Sequence, residues 1–115
     1  MDLNEVITEE TILFDLQVSL KREALEALIQ RLDDTGRIDD YDAFLENVLE
    51  REKIESTDMG IGVAIPHGKS AAVQQTSVVI GRLAEPIRWK EEQEEGEKPI
   101  YAIFLLAVPD SDENG

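Results

Sequence analysis

One stretch limits the possible folds of this 115-residue chain more than any other: Ile100-Tyr101-Ala102-Ile103-Phe104-Leu105-Leu106-Ala107-Val108, closed by Pro109. A strand with one wet face alternates apolar and polar residues, and this run does not. It reads as a central strand covered on both faces. Such a strand needs helices packed above and below its sheet. The remaining sequence should therefore alternate strands with amphipathic helices.

It does. Ile12-Leu13-Phe14-Asp15-Leu16-Gln17-Val18 alternates as a strand, with Ile12, Phe14, Leu16 and Val18 expected on one face. Ahead of it, residues 2–11 read as a lead-in or short helical turn. After Ser19, a plausible N-cap, Leu20, Ala24, Leu25, Leu28, Ile29 and Leu32 recur at helical spacing. Gly36 should end that helix in the left-handed region. Asp40 can cap a second helix with Phe44, Leu45, Val48 and Leu49 on its apolar stripe, running to about Arg51. Thr76 to Leu83 reads as a strand and Ile87-Arg88-Trp89 as a short one. The acidic run Glu91 to Glu97 reads as an exposed hairpin tip, and Asp110 to Gly115 as a polar tail. The length suits one domain spanning 1–115, of α/β class.

Charge and cysteine content narrow the function. The net charge is −15, from 26 acidic and 11 basic residues. Nucleic acid and anionic membrane are polyanions, so neither is an expected partner; a basic protein surface is. The absence of cysteine removes disulfides, thiolate catalysis and cysteine-based metal sites. The N-terminal residues resemble no secretory signal and no segment reaches membrane-spanning length, so the expected location is cytoplasmic, without membrane insertion.

The chemistry should lie in Ser56-Thr57-Asp58-Met59-Gly60-Ile61-Gly62-Val63-Ala64-Ile65-Pro66-His67-Gly68, which holds the only histidine. Val63 to His67 reads as a strand running to an edge, where proline is tolerated. Pro66 restricts its own backbone and that of Ile65, so the direction of His67 is partly set in advance. Gly60 and Gly62 permit close backbone approach, and turn amides can form an anion-binding concavity. Neutral imidazole is nucleophilic and can accept and pass on a group. Residue types alone also allow a structural histidine bonded to backbone. Zinc would require acidic ligands beside one histidine, and a serine triad with Ser56 or Ser70 lacks a nucleophile elbow.

Arg51-Glu52, then Ser56-Thr57, then Gly60-x-Gly62-x-Ala64-Ile65-Pro66-His67-Gly68 resembles the signature of type-2 EIIA domains of the phosphoenolpyruvate-dependent sugar phosphotransferase system, in the fructose and mannitol branch. The resemblance spans essentially the whole chain. It implies a three-layer α/β/α fold with a mixed β-sheet, phosphotransferase/anion transport protein-like, here lacking the C-terminal helices. It implies that His67 takes a phosphoryl group from the phosphocarrier HPr, as a tele-phosphohistidine, and hands it to a cysteine of EIIB. Arg51 matches the arginine beside the phosphoryl group, although a helix-end arginine bonded to free carbonyls is the plainer reading. Thr57, Gly60 and Gly62 are the further candidates for phosphate stabilisation, with no metal and no cofactor. The sequence looks C-terminally incomplete against the family, without a second active-site histidine. One sheet face is then expected to lie bare or to be covered by another chain, such as a second copy in a homo-oligomer. EIIA-like regulatory modules, including the nitrogen-related branch, share the Pro-His-Gly core. Ser56 to Gly60 looks more like the fructose type, which favours transport.

Overall fold

The computed structural model describes residues 6–90 and 98–110. A 3-10 turn, Glu9–Thr11, leads into strand β1 (Ile12–Leu16), helix α1 (Lys21–Asp34) and helix α2 (Tyr41–Ile54). Strands β2 (Val63–Ala64), β3 (His67–Ser70), β4 (Ser77–Ile87) and β5 (Ile100–Pro109) follow. The expected acidic hairpin tip and most of the polar tail lie outside the described residues.

The sheet is mixed, and β5 is central. It pairs antiparallel with β4 on one side; on the other it pairs parallel with β2 and then β3, laid end to end. β1 closes the far edge, parallel to β4. The expected edge strand at Val63 to His67 is thus two short strands. Pro66 has no amide to donate and separates them, while its carbonyl accepts from the Leu106 amide at 2.9 Å.

Both helices pack on one face of this sheet. Leu28 of α1 lies against Gly81, and Phe44 and Val48 of α2 lie against Gly68. These positions share a face because they pair with Ile103 and Ala107 of β5, an even number of residues apart. The helical stripes read from the sequence form the core: Ala24, Leu25, Leu28, Ile29, Leu32, Phe44, Leu45 and Val48 are all buried. Inter-element turns follow the expected chemistry in two places. Gly36, at φ 74°, ends α1 with the Gly36 amide on the Asp33 carbonyl and the Arg37 amide on Leu32. The Asp40 carboxylate accepts from the Ala43 amide at 3.1 Å and caps α2.

Two local expectations are corrected. Ser19 is not the cap of α1: Leu20 holds that position, and the Glu23 carboxylate reaches back to the Ser19 and Leu20 amides at 3.0 and 3.2 Å. A single oxygen, Glu23 Oε1, accepts from both amides, so the entry to α1 is held by the third residue of the helix reaching back and not by the Ser19 hydroxyl. The alternation of β1 also fails. Asp15 is left-handed, at φ 53°, and the pairing register slips between Leu13 and Leu16. The bulge turns Leu13 and Leu16 toward the core, while Phe14 stands 69% exposed.

Phe14 is not alone in facing outward. Phe104 is 37% exposed, whereas its chain neighbours Ile103 and Leu105, on the opposite face of β5, are fully buried. The nearly unbroken apolar run of β5 is therefore covered by helices on one face only, among the described residues. Its other face presents apolar side chains to solvent.

Candidate functional site

The C-terminal end of α2 and the start of β3 meet at the sheet edge. What brings them together is the absence of a side chain at Gly68. A Cβ there would stand 2.8 Å from Asn47 Oδ1 and 2.9 Å from both Phe44 Cε1 and Val48 Cγ2. Only glycine lets α2 settle this close to β3. The contact is pinned by Asn47, whose side-chain oxygen accepts from the Lys69 amide at 3.0 Å.

This approach places Arg51, on the last turns of α2, against His67, the first residue of β3. Arg51 Nε donates to His67 Nε2 at 3.1 Å, and Arg51 Nη1 donates to the Glu55 carbonyl at 2.8 Å. The plainer reading of Arg51, a helix-end arginine on a free carbonyl, is met. It binds a free carbonyl at the helix end, and that anchorage presents its other edge to the histidine. On the far side of the ring, Nδ1 lies 3.2 Å from the Ile65 carbonyl. A carbonyl can only accept and a guanidinium can only donate, so the proton belongs on Nδ1 and the lone pair on Nε2. The imidazole is held in one tautomer with its nucleophilic nitrogen beside a fixed positive charge.

The loop between α2 and β2 is tightly self-bonded. Ser56 Oγ accepts from the Asp58 amide at 3.2 Å, and Asp58 Oδ1 accepts from the Gly60 amide at 2.8 Å. The Thr57 carbonyl accepts from the Ile65 amide at 3.0 Å. Gly62 sits at φ 89° with its carbonyl on the Tyr101 amide at 2.9 Å, and the Tyr101 ring fills the space a Cβ would need. Any other residue there would be strained twice, by conformation and by contact.

Among the candidate phosphate-stabilising groups, the structure brings Arg51 to His67 and gives the others internal partners. The Thr57 hydroxyl is buried and donates to Glu52, and the Gly60 amide is held by Asp58. Ser56 and Ser70 accept from the Asp58 and Ala72 amides. His67 has Arg51 and Ile65 as its partners, so no serine–histidine pair forms. Among the described residues no group of three or more His, Cys, Asp or Glu side chains gathers as a metal site. None of the described helices is long and apolar enough to cross a membrane.

Two further residues shape the site without standing out in the sequence, Asn47 and Glu52. Glu52 is a buried carboxylate on α2, 8% exposed, receiving Lys21 Nζ at 2.8 Å as well as the Thr57 hydroxyl. The signal was present in the spacing: Phe44, Val48 and Glu52 succeed one another at four-residue intervals, which puts Glu52 on the buried face. Nothing in the sequence marks Asn47, because its partner is a backbone amide of a strand that folding brings near.

An α/β domain with a mixed sheet, carrying one tautomer-locked histidine beside a helix-end arginine, is the class these features define. The chain belongs to the family described as phosphoenolpyruvate-dependent sugar phosphotransferase system, EIIA 2, whose model matches residues 5–114. It is similar to the PTS system 2-O-alpha-mannosyl-D-glycerate-specific EIIABC component of Escherichia coli, 35% identical over 95% of this chain and 16% of that protein. It is 35% identical to the PTS system fructose-specific EIIA component of Haloferax volcanii, over 94% of this chain and 68% of that one. Among solved structures it resembles the nitrogen regulatory protein IIA-Ntr of Neisseria meningitidis. There the TM-score is 0.82 and the identity 31%, over 95% of this chain and 72% of that chain. The chain therefore spans about a sixth of the multidomain relative and about two thirds of the single-component one.

Proposed function

We propose that this domain is a phosphoryl way-station in sugar uptake: His67 accepts a phosphoryl group from phospho-HPr and passes it to the cysteine of EIIB. The observation that carries this reading is the locked tautomer, with the Nε2 lone pair beside Arg51. The Nε2 lone pair attacks the phosphorus of the donor phosphohistidine. As the new N–P bond forms, the donor's N–P bond breaks and its electron pair returns to the donor ring. The His67 ring gains positive charge in this step, and the Ile65 carbonyl facing Nδ1–H is placed to stabilise it. The product is a tele-phosphohistidine. Arg51 exchanges its bond to Nε2 for the equatorial phosphoryl oxygens, a charge-assisted contact held ready by Glu55. Onward transfer runs the same chemistry in reverse: the EIIB thiolate forms S–P, N–P breaks, and the pair returns to Nε2.

Partner contact is supported by the segments around the pair, which expose Ile54, Met59, Ile61 and Ile65 to solvent. These are apolar side chains that a docking partner could cover. EIIB as the recipient is supported by the Escherichia coli relative, named as an EIIABC component. The domain itself needs no cofactor and no metal for this transfer, and a cytoplasmic location goes with it. Thr57, Gly60 and Gly62 act in this reading by shaping the loop that holds Ile65.

The test supplies phosphoenolpyruvate, the general phosphotransferase proteins and this domain, then measures acid-labile phosphate on wild type and His67→Ala. Incorporation that survives His67→Ala refutes the assignment. A second reading, a regulatory module whose phosphorylation switches protein binding, is favoured by the likeness to IIA-Ntr. Onward transfer to an EIIB cysteine separates the two: a regulatory module would hold its phosphate.

A further inference from the structure

We infer that Glu52 is a positioning residue for His67, acting through Thr57 and the loop that follows it. This rests on the reading of His67 as phosphoryl acceptor. The Glu52 side chain is 4% exposed and has two partners, one on each oxygen. Oε2 takes Lys21 Nζ at 2.8 Å, from the first turn of α1, and Oε1 takes the Thr57 hydroxyl, from the loop. Lys21 is fixed in turn by the face of the buried Trp89 ring, 4.9 Å from its centroid. A carboxylate this deeply buried persists only when paired and hydrogen-bonded, and here both conditions are met by groups from different elements.

The consequence reaches the imidazole. With its side chain held by Glu52, Thr57 offers its carbonyl to the Ile65 amide at 3.0 Å, and the Ile65 carbonyl faces His67 Nδ1 at 3.2 Å. Glu52 also adjoins Arg51 in the chain, and Arg51 governs the other ring nitrogen. The bonds that orient Nδ1 thus lead back to one buried carboxylate, while Nε2 is oriented by Arg51, anchored separately on the Glu55 carbonyl. The outer end of the relay is open: Lys21, Glu52 and Trp89 line a cavity of about 1080 Å3.

The single histidine makes the test direct, because a 15N-histidine-labelled sample carries one imidazole. Wild type is expected to show the Nδ1–H tautomer. Thr57→Val removes the hydroxyl at nearly constant volume and leaves Glu52 its lysine. It is expected to move the tautomer ratio about threefold or more toward Nε2–H and to slow phosphoryl uptake about tenfold, since misplacing a reacting group is costly in rate. Thr57→Ser should restore both, Thr57→Ala serves if valine does not fold, and Glu50→Gln on the exposed side of α2 should change neither. A lost contact to phosphate would slow uptake without moving the tautomer ratio of the unphosphorylated protein. A wild-type ratio in the folded Thr57→Val variant overturns the inference. A shifted ratio together with a wild type that takes up no phosphate supports the positioning role and overturns the acceptor reading.

Discussion

Gly68→Ala tests whether the approach of α2 to β3 is what assembles the pair. The added methyl would stand 2.8 to 2.9 Å from three heavy atoms. Asn47 is a polar side chain at the contact and can swing aside, at the expense of its bond to the Lys69 amide. Phe44 and Val48 are fully buried and have nowhere to go. Overpacking of this kind costs about 2 kcal/mol. For a domain of this size that lowers Tm by roughly 8–16 °C, since each kcal/mol is worth about 4–8 °C. The helix can relieve the clash only by moving off the strand, which lengthens the Arg51–His67 contact. Phosphoryl uptake should therefore fall by more than the loss of folded protein explains. The assays are a thermal melt followed by circular dichroism, and single-turnover uptake from phospho-HPr well below Tm. Adding Val48→Ala removes one of the two immovable atoms. The double variant should then be less destabilised than the sum of its parts, the mark of a direct contact. A Gly68→Ala protein with unchanged Tm and unchanged uptake would refute the reasoning.

Arg51→Ala should fold, because the side chain lies at a partly exposed helix end, and should slow uptake about 100-fold, the scale of losing one charge-stabilising donor; equal rates in the HPr-driven assay would remove Arg51 from the site. Arg51→Lys should not restore the rate, since a lysine cannot hold the Glu55 carbonyl and His67 with one planar fork. Asp40→Ala should lower stability by about 1 kcal/mol in a denaturant titration, the usual cost of a lost N-cap, and leave uptake unchanged below the transition. Phe104→Ser should reduce binding of an apolar fluorescent dye without lowering Tm, because Phe104 faces solvent on the uncovered sheet face.

What could be read from the sequence follows the range of the interactions involved. The helices, their apolar stripes, the Asp40 cap and the Gly36 terminator are decided within a few residues, and the structure has them where periodicity and capping put them. The expected Ser19 cap fails because the helix begins one residue later, at the Leu20 cap, with Glu23 reaching back to the Ser19 and Leu20 amides through one oxygen. The bulge at Asp15 was invisible, since a left-handed aspartate looks like any other aspartate in a one-dimensional alternation. The unbroken apolar run of β5 marks a strand with two apolar faces, but a sequence pattern cannot say whether each face is covered. At the candidate site, His67 and Arg51 are legible because the residues around them match a family signature. The Ile65 and Glu55 carbonyls that orient them belong to the backbone, which a sequence does not display.

The net charge of −15 and the chemistry at His67 pull in opposite directions, and distance decides between them. A phosphoryl group in contact with Arg51, at about 4 Å, gains roughly 4 kcal/mol at the effective dielectric of a protein surface. The acidic residues elsewhere act across solvent, where salt screens them over about 8 Å. In the transfer proposed above, the guanidinium would therefore outweigh the surplus of carboxylates, which would act on how partners arrive. That division explains why Arg51 is tied to Glu55 rather than left mobile. A single cation serving one phosphate in an acidic domain must already be in place, because a free arginine would find carboxylates to pair with before a partner docked. The same constraint applies to Lys21, a cation on the Glu52 side of the site, whose charge is held by Glu52 and Trp89 and directed to structure. Of the two, only Arg51 keeps an edge toward the nitrogen that reacts.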